Sequence, residues 1–131
     1  MENNTMVACE AFELMQDEQV VMRTDKVGHA FEIGNTHELI LTDKALICIN
    51  KSLFGKVKKI TRYQLSDIRM PDGKPEVKIG RVNSFTPTLD IYFYDTQERY
   101  KFSWDRDVEE WIDSITEMIT GVKVQHQDEF K

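Results

Sequence analysis

The sequence is poor in the residue types that build metal sites and disulfide frameworks. Its two cysteines, Cys9 and Cys48, show no C-x-x-C spacing, so neither a disulfide scaffold nor a zinc site is predicted. Cys48 stands in the apolar run 47–49 and is expected to be a buried small hydrophobe. Such cysteine usage fits a reducing, intracellular compartment. The three histidines are scattered, and no two of them stand at the helical spacing of a metal-ligand pair. They are His29, His37 and His126.

Long apolar runs and an excess of basic residues are also lacking. Residues 1–4 carry no basic charge and no long apolar segment follows them, so we expect no signal peptide. No stretch approaches the roughly 18 apolar residues of a membrane span, and any membrane role is expected to be peripheral. A formal net charge of −6 and a pI of about 5.1 argue against general nucleic-acid binding. We predict a cytoplasmic protein.

Catalytic signatures are missing as well. No serine stands in a nucleophile elbow, and Gly55, Gly73 and Gly80 form no phosphate-binding loop. Carboxylates are plentiful, but nothing in their spacing singles out an acid and base pair. We therefore predict that the chain is not an enzyme and needs no cofactor.

What is present is the pattern of a small, mainly β domain. The chain has 131 residues, 40% of them hydrophobic, which suits one domain with a substantial core. Residues 45–49 are apolar on both pleat faces, so that strand is expected to be buried on both sides. A break in alternation at Lys59 and Ile60 predicts a bulge or an edge position. Seven strands are predicted: 19–23, 38–42, 45–49, 57–65, 76–79, 89–94 and 100–103. Residues 83–88 are predicted to be a loop.

A C-terminal helix is the clearest single element. Asp105 is predicted as its N-cap and Gly121 as its stop, and a shorter helix is predicted over residues 6–16. We expect an α+β fold: a bent antiparallel seven-stranded barrel or sandwich, capped by this helix through Trp111. The predicted divisions are an N-terminal extension (1–16), the domain (17–121) and a polar tail (122–131). The apolar stripe of the helix consists of Val108, Trp111, Ile112, Ile115, Met118 and Ile119.

Three of these pieces resemble the pleckstrin-homology (PH) superfamily, particularly bacterial PH-like domains and their GRAM-type relatives. Residues 38–47, ELILTDKALI, are similar to the family's apolar strand and Thr-Asn/Asp-Lys-Arg hairpin. Residues 63–68, YQLSDI, are similar to its Tyr-x-Leu-x-x-Ile strand end. The third piece is the closing helix with Trp111, so the resemblance spans about residues 14–120. Ala45 stands where relatives often have Arg, and any role of that side chain is absent here. The resemblance implies a PH-like fold and a binding or assembly role.

A basic segment is the most suggestive functional feature. Five cations fall in a stretch without an acid, although the chain as a whole is acidic. Lys56, Lys58 and Arg62 would share one strand face and could hold a phosphate or an anionic headgroup. Alternatively, the lysines protect an edge strand against aggregation. The candidate anion- or lipid-binding residues are Lys51, Lys56, Lys58, Lys59 and Arg62. PH domains of eukaryotes often use a basic strand and loop of this kind, but theirs follows the first strand rather than the third.

Two further features are candidates for contact with a partner. Leu53 and Phe54 form an apolar tip beside the lysines, which would either insert into an interface or fold back onto the core. The outward face of the last helix is acidic, which fits a basic partner, head-to-tail self-association with the lysine strand, or simple solvation. The candidate interaction residues are Phe54, Glu109, Glu110, Asp113 and Glu117.

The function predicted from the sequence is that of an interaction module. Its partner would be another protein or a second copy of the chain, and an oligomer is one expected form. The alternative is peripheral binding to an anionic membrane through residues 51–62. A third hypothesis, a barrel enzyme or ligand carrier, needs a hollow interior. The bulky residues expected to fill that interior argue against it: Leu41, Leu46, Phe93, Phe102, Trp111 and Ile115.

Overall fold

Alternating and β-branched residues build an antiparallel sheet in the first half of the chain. The structure, a computed structural model, describes residues 14–24, 27–30 and 34–122. Two compact units divide the chain, Met1–Gln64 and Leu65–Lys131. The first unit contains five strands, and its sheet has the order β1-β3-β4-β5. The strands are β1 (Val20–Arg23), β2 (Gly28–His29), β3 (Thr36–Thr42), β4 (Ala45–Lys51) and β5 (Val57–Gln64).

Strand β4 is buried on both faces, as its sequence predicts. Every residue from Ala45 to Ile49 is buried, including Cys48. On one face, Ile47 and Ile49 form a cluster with Ile40 of β3, and Leu14 packs against it. The segment that precedes β1 thus covers an apolar stripe that would otherwise face water.

Strand β5 is both bulged and at the edge of its sheet, which confirms the prediction drawn from Lys59 and Ile60. Asn50 pairs with Lys59, and Lys51 pairs with Val57, so Lys58 is the extra residue of a bulge. β5 pairs with β4 on one side and is the outer strand of this sheet. Its first four residues are exposed and its next three are half-buried.

The second unit contains three consecutive antiparallel strands, and β7 lies in the middle. They are β6 (Val77–Val82), β7 (Thr86–Tyr92) and β8 (Gln97–Lys101). Short 3₁₀ turns at Leu65–Asp67 and Pro71–Gly73 precede them. Leu89, Ile91 and Phe93 are buried, as their alternation predicts, and the Phe93 N–H donates to the Thr96 carbonyl to close the β7–β8 turn.

One helix, α1 (Asp105–Thr120), follows the strands and contacts β6 and β7. Its buried residues are Val108, Trp111 and Ile115, and the Trp111 ring lies 6.5 Å from that of Phe102 between centroids. Gly121 ends the helix as predicted, because its φ of 73° is left-handed and its N–H donates to the Glu117 carbonyl at 2.8 Å. All six bulky residues predicted to fill the core are buried.

Several predictions of detail were wrong. The described residues contain eight strands rather than seven, because β2 has only two residues and shows no alternation to detect. Residues 83–88 are not a loop: Asn83 and Ser84 form a tight turn and β7 begins at Thr86. Asp105 is not the N-cap but the first helical residue, and the cap position is Trp104. Most of the predicted helix over 6–16 lies outside the described residues, and Leu14–Gln16 are not helical.

Candidate functional site

The tip of the β4–β5 hairpin is a continuous exposed segment, here named the 53–60 arm. All eight residues from 53 to 60 are exposed, and none of them is acidic. Phe54 is 96% exposed and Leu53 is 73% exposed. Val57 and Ile60 add exposed apolar surface, and the arm carries three cations: Lys56, Lys58 and Lys59. An apolar tip held in water beside a basic cluster is the strongest candidate for a contact surface in the first unit.

Local hydrogen bonds fix the conformation of this tip. The Ser52 N–H donates to the Lys56 carbonyl at 2.8 Å, and the Gly55 N–H donates to the Ser52 carbonyl at 2.9 Å. The Ser52 hydroxyl also accepts from the N–H groups of Phe54 and Lys56. Gly55 adopts a φ of 83°, which glycine permits at little cost. The tip therefore presents Leu53 and Phe54 to solvent from an ordered turn, not folded back onto the core.

Lys51 and Arg62, which flank the arm, are engaged within the fold. Lys51 Nζ lies 3.5 Å from Glu38 Oε1, and its side chain is mostly buried. Arg62 Nη2 donates to Glu18 Oε2 at 2.6 Å. The structure thus brings the three lysines of the arm together on one exposed segment and turns Arg62 toward a carboxylate. The carboxylate of Glu18 already balances the positive charge of Arg62.

Glu18 is the residue that sequence analysis did not single out. Its side chain is fully buried, and it accepts hydrogen bonds from Arg62, from the Thr42 hydroxyl and from the Met15 N–H. Burial acts to raise the pKa of this carboxyl. The bonds from Arg62, Thr42 and Met15 outweigh it, and the pKa lies below the ordinary glutamate value. Glu18 therefore stays ionised as the anchor that holds the segment before β1 to β3 and β5.

The acidic residues predicted on helix α1 divide by exposure. Glu109 and Glu110 are exposed, whereas Asp113 and Glu117 are half-buried and take part in other interactions. In the first turn, Asp105 accepts two hydrogen bonds from Arg81, at 2.8 and 2.7 Å. That guanidinium holds the pKa of Asp105 below its usual value. Glu109 and Glu110 are thus the helix acids most open to a partner.

A second apolar surface, which sequence analysis missed, lies where the β6–β7 turn meets the start of α1. Phe85 is 84% exposed and Trp104 is 70% exposed. They line an open cleft of about 650 Å³, here named the Phe85–Trp104 cleft, whose other lining residues are Pro87, Ser103, Asp105, Arg106 and Asp107. Trp104 stands four residues before Val108, a spacing that would bury it in a longer helix. Its backbone is extended, with φ −135° and ψ 140°, so it lies outside the helix.

The described residues hold neither a candidate metal site nor a helix that could cross a membrane. Within 14–24, 27–30 and 34–122, no three His, Cys, Asp or Glu residues are placed to hold a metal ion. No helix in this part of the chain is long and apolar enough to cross a membrane. The 53–60 arm and the Phe85–Trp104 cleft are consequently the surfaces on which a functional proposal can be built.

Comparison with known proteins yields a fold match. The hSac2 domain from the human phosphoinositide phosphatase Sac2 superposes with a TM-score of 0.56 at 12% sequence identity. The match covers 96% of this chain and 90% of that one. The fold is PH-like. No family model matches the sequence, and no curated protein matches it either. The likeness to hSac2 therefore extends to a mainly β architecture with two antiparallel sheets and a C-terminal helix, and to nothing finer.

Proposed function

We propose that this chain is a non-enzymatic PH-like module that docks on an anionic membrane surface through the 53–60 arm. The observation that carries the proposal is the 96% exposure of Phe54 on an ordered turn beside three lysines and no acid. Each lysine near an anionic leaflet contributes about 1 kcal/mol of attraction. Phe54 and Leu53 add apolar surface that leaves water when the tip enters the headgroup region.

The comparison adds support of a general kind. The matched hSac2 domain comes from a phosphoinositide phosphatase, and phosphoinositides are anionic lipids. Within the PH/GRAM superfamily, residues 38–47 and 63–68 favour a place among the bacterial PH-like domains. We place the module in the cytoplasm, peripheral to the membrane, with no nucleic-acid partner.

The structure narrows the set of residues to which lipid contact is assigned. Lys56, Lys58 and Lys59, with Leu53 and Phe54, are free to meet a headgroup layer. Lys51 and Arg62 are assigned to the fold, since each neutralises a glutamate of the same unit. Charge reversal at Arg62 is therefore a poor test of lipid binding, because it would place two carboxylates against each other beside buried Thr42.

The test is co-sedimentation of the full chain with vesicles of phosphatidylcholine, with and without phosphatidylserine. Lys58→Glu removes one attraction and adds one repulsion, about 2 kcal/mol together, so binding to anionic vesicles should weaken about 30-fold. Lys44→Glu is the matched control. It lowers the net charge by the same two units, but its site lies at the far end of seven-residue β4, roughly 20 Å from the arm.

Apolar insertion is tested separately from charge. Phe54→Ser should weaken binding roughly tenfold, whereas Phe85→Ser, at another exposed phenylalanine, in the second unit, should not weaken it. Raising the salt to about 1 M should abolish most of the lysine effect, because the screening length falls to about 3 Å. Absence of binding to anionic vesicles at low salt would refute the proposal, as would equal losses from Lys58→Glu and Lys44→Glu.

Contact with a protein, including a second copy of this chain, is the second candidate function. The Phe85–Trp104 cleft favours it, because two large aromatic side chains in water mark a protein-binding surface as readily as a lipid-binding one. Because the surroundings of the cleft are acidic, docking of this surface on an anionic membrane is disfavoured.

A further inference from the structure

The Phe85–Trp104 cleft has the size and the composition of a docking site for an apolar side chain. Its volume of about 650 Å³ falls within the roughly 300–1,000 Å³ of typical ligand pockets. Phe85 and Trp104 form its exposed aromatic walls, and buried Pro87 adds a third apolar surface. Asp105, one of the two acids that line the cleft, is already bonded to Arg81.

The surroundings of the cleft are acidic. Residues 102–122 contain six carboxylates and one cation, Arg106. Among the charged residues that line the cleft, Asp105 is paired with Arg81 and Arg106 offsets Asp107, so the net negative charge comes from exposed Glu109 and Glu110 on the next turn of α1. A segment that fits here would carry a large apolar anchor and several positive charges.

The same chain contains a segment of that description. The 53–60 arm presents Phe54 and Leu53 on a turn with three lysines and no acid. We infer that the arm of one copy docks in the Phe85–Trp104 cleft of another, with Phe54 against the aromatic walls and the lysines toward Asp107, Glu109 and Glu110. Both the apolar and the charged parts of the two surfaces are complementary, and neither surface is complementary to itself.

Each copy offers one arm and one cleft, so the contact joins unlike surfaces. It can propagate into a ring or filament, or close in a two-fold dimer that holds two reciprocal arm–cleft contacts. The contact is also small, which places it among weak and transient associations. Self-association should therefore rise steeply with concentration and fall with added salt. This inference does not depend on the membrane proposal, although both use the arm.

The experiment exploits the difference between the surfaces. Phe54→Glu should disable the arm for docking but keep the cleft intact, whereas Trp104→Ala should disable the cleft but keep the arm intact. In analytical ultracentrifugation each variant alone should be a monomer at concentrations where the unmodified chain associates. An equimolar mixture should form a one-to-one dimer and nothing larger, because one intact arm meets one intact cleft. Tyr94→Ala, at a side chain 69% exposed in the same unit, should associate like the unmodified chain.

The possible outcomes are distinct. A chain that stays monomeric at every soluble concentration, or a Trp104→Ala variant that still associates, overturns the inference. Loss of association in both variants without recovery in the mixture also overturns it, because an intact arm and an intact cleft would then be present together and fail to associate. Binding of Trp104→Ala to anionic vesicles separates the two proposals. It should be at least as strong as that of the unmodified chain, because the arm is intact and no cleft occupies it, whereas Phe54→Glu should lose both properties.

Discussion

Replacement of Glu18 by Gln tests whether one buried carboxylate holds the segment before β1 onto the sheet. Every partner around its two oxygens is a donor: the Arg62 guanidinium at 2.6 Å, the Met15 N–H at 2.7 Å and the Thr42 hydroxyl. Glutamine keeps the size of the side chain but puts an NH₂ group against one of these donors. At least one hydrogen bond is lost, and the charge that balances Arg62 is lost with it.

The size of the effect follows from burial. Removing one partner of a fully buried ion pair costs about 3–5 kcal/mol, and a charge-assisted hydrogen bond is worth about 1.5–3 kcal/mol. Glu18 is fully buried, but the Arg62 side chain is 26% exposed and retains some contact with water. We therefore expect Glu18→Gln to lower the free energy of unfolding by about 2–3 kcal/mol at pH 7. For a chain of this length the fall in Tm should be roughly 6–15 °C.

The lowered pKa of Glu18 predicts how the stability lost in Glu18→Gln changes with pH. The folded-state pKa of Glu18 is lowered, so the unfolded state takes up the proton first as the pH falls. The contribution of Glu18 is complete above the ordinary glutamate value, about 4.3, and is lost as the pH falls through the lowered value. The stability difference between the unmodified chain and Glu18→Gln should thus shrink below about pH 4.

The assay is urea denaturation followed by circular dichroism from pH 7 to pH 3, with Glu109→Gln as the control. Glu109 is exposed, so its substitution should change the free energy of unfolding by less than about 0.5 kcal/mol. A Glu18→Gln variant as stable as this control at pH 7 would refute the anchoring role. A large difference that stays constant to pH 3 would show that packing, not the charge, is responsible.

Two further predictions concern the second unit. Trp111→Ala should cost about 3–5 kcal/mol of unfolding free energy, because the ring is buried against Phe102, whereas Trp104→Ala should change it by less than about 0.5 kcal/mol. Equal effects of the two substitutions in urea denaturation would contradict the structure. Gly80→Ala should cost about 1–3 kcal/mol in the same assay, since its Cβ would lie 2.3 Å from Asp90 Oδ2. An unchanged denaturation midpoint would show that Asp90 moves aside freely.

Sequence patterns were most reliable where local spacing alone determines the structure. The stripe that includes Val108, Trp111 and Ile115 has a helical period. The structure buries these three residues and half-buries the other members of the stripe, Ile112, Met118 and Ile119. Residues 45–49 are apolar on both faces of a strand, and both faces are buried. In such segments the burial of each residue follows from its own neighbours in sequence, so the fold class could be predicted without knowing which strands pair.

The errors occurred where a local signal was weak or pointed the other way. Pro87 lacks an N–H and argues against a central strand, yet it lies in β7, where its carbonyl accepts from the Phe102 N–H. Trp104 has the spacing of a buried helical residue, but the helix begins one residue later and leaves the ring in solvent. The cleft was missed for these two reasons together, since one of its walls was assigned to a loop and the other was not singled out.

The basic segment shows why a cluster of charge in sequence cannot by itself define a binding site. Lys58 and Arg62 lie on the same short strand, and spacing gives no reason to treat them differently. The partner that separates them is Glu18, which lies 44 residues from Arg62 in sequence and is brought to it by the pairing of β1, β3, β4 and β5. Residues 57–60, the first four of β5, are exposed, so Lys58 and Lys59 lie in water. A cation that the fold has already neutralised has less charge to offer a ligand, so long-range pairing, not local charge density, decides which cations of β5 are available for binding.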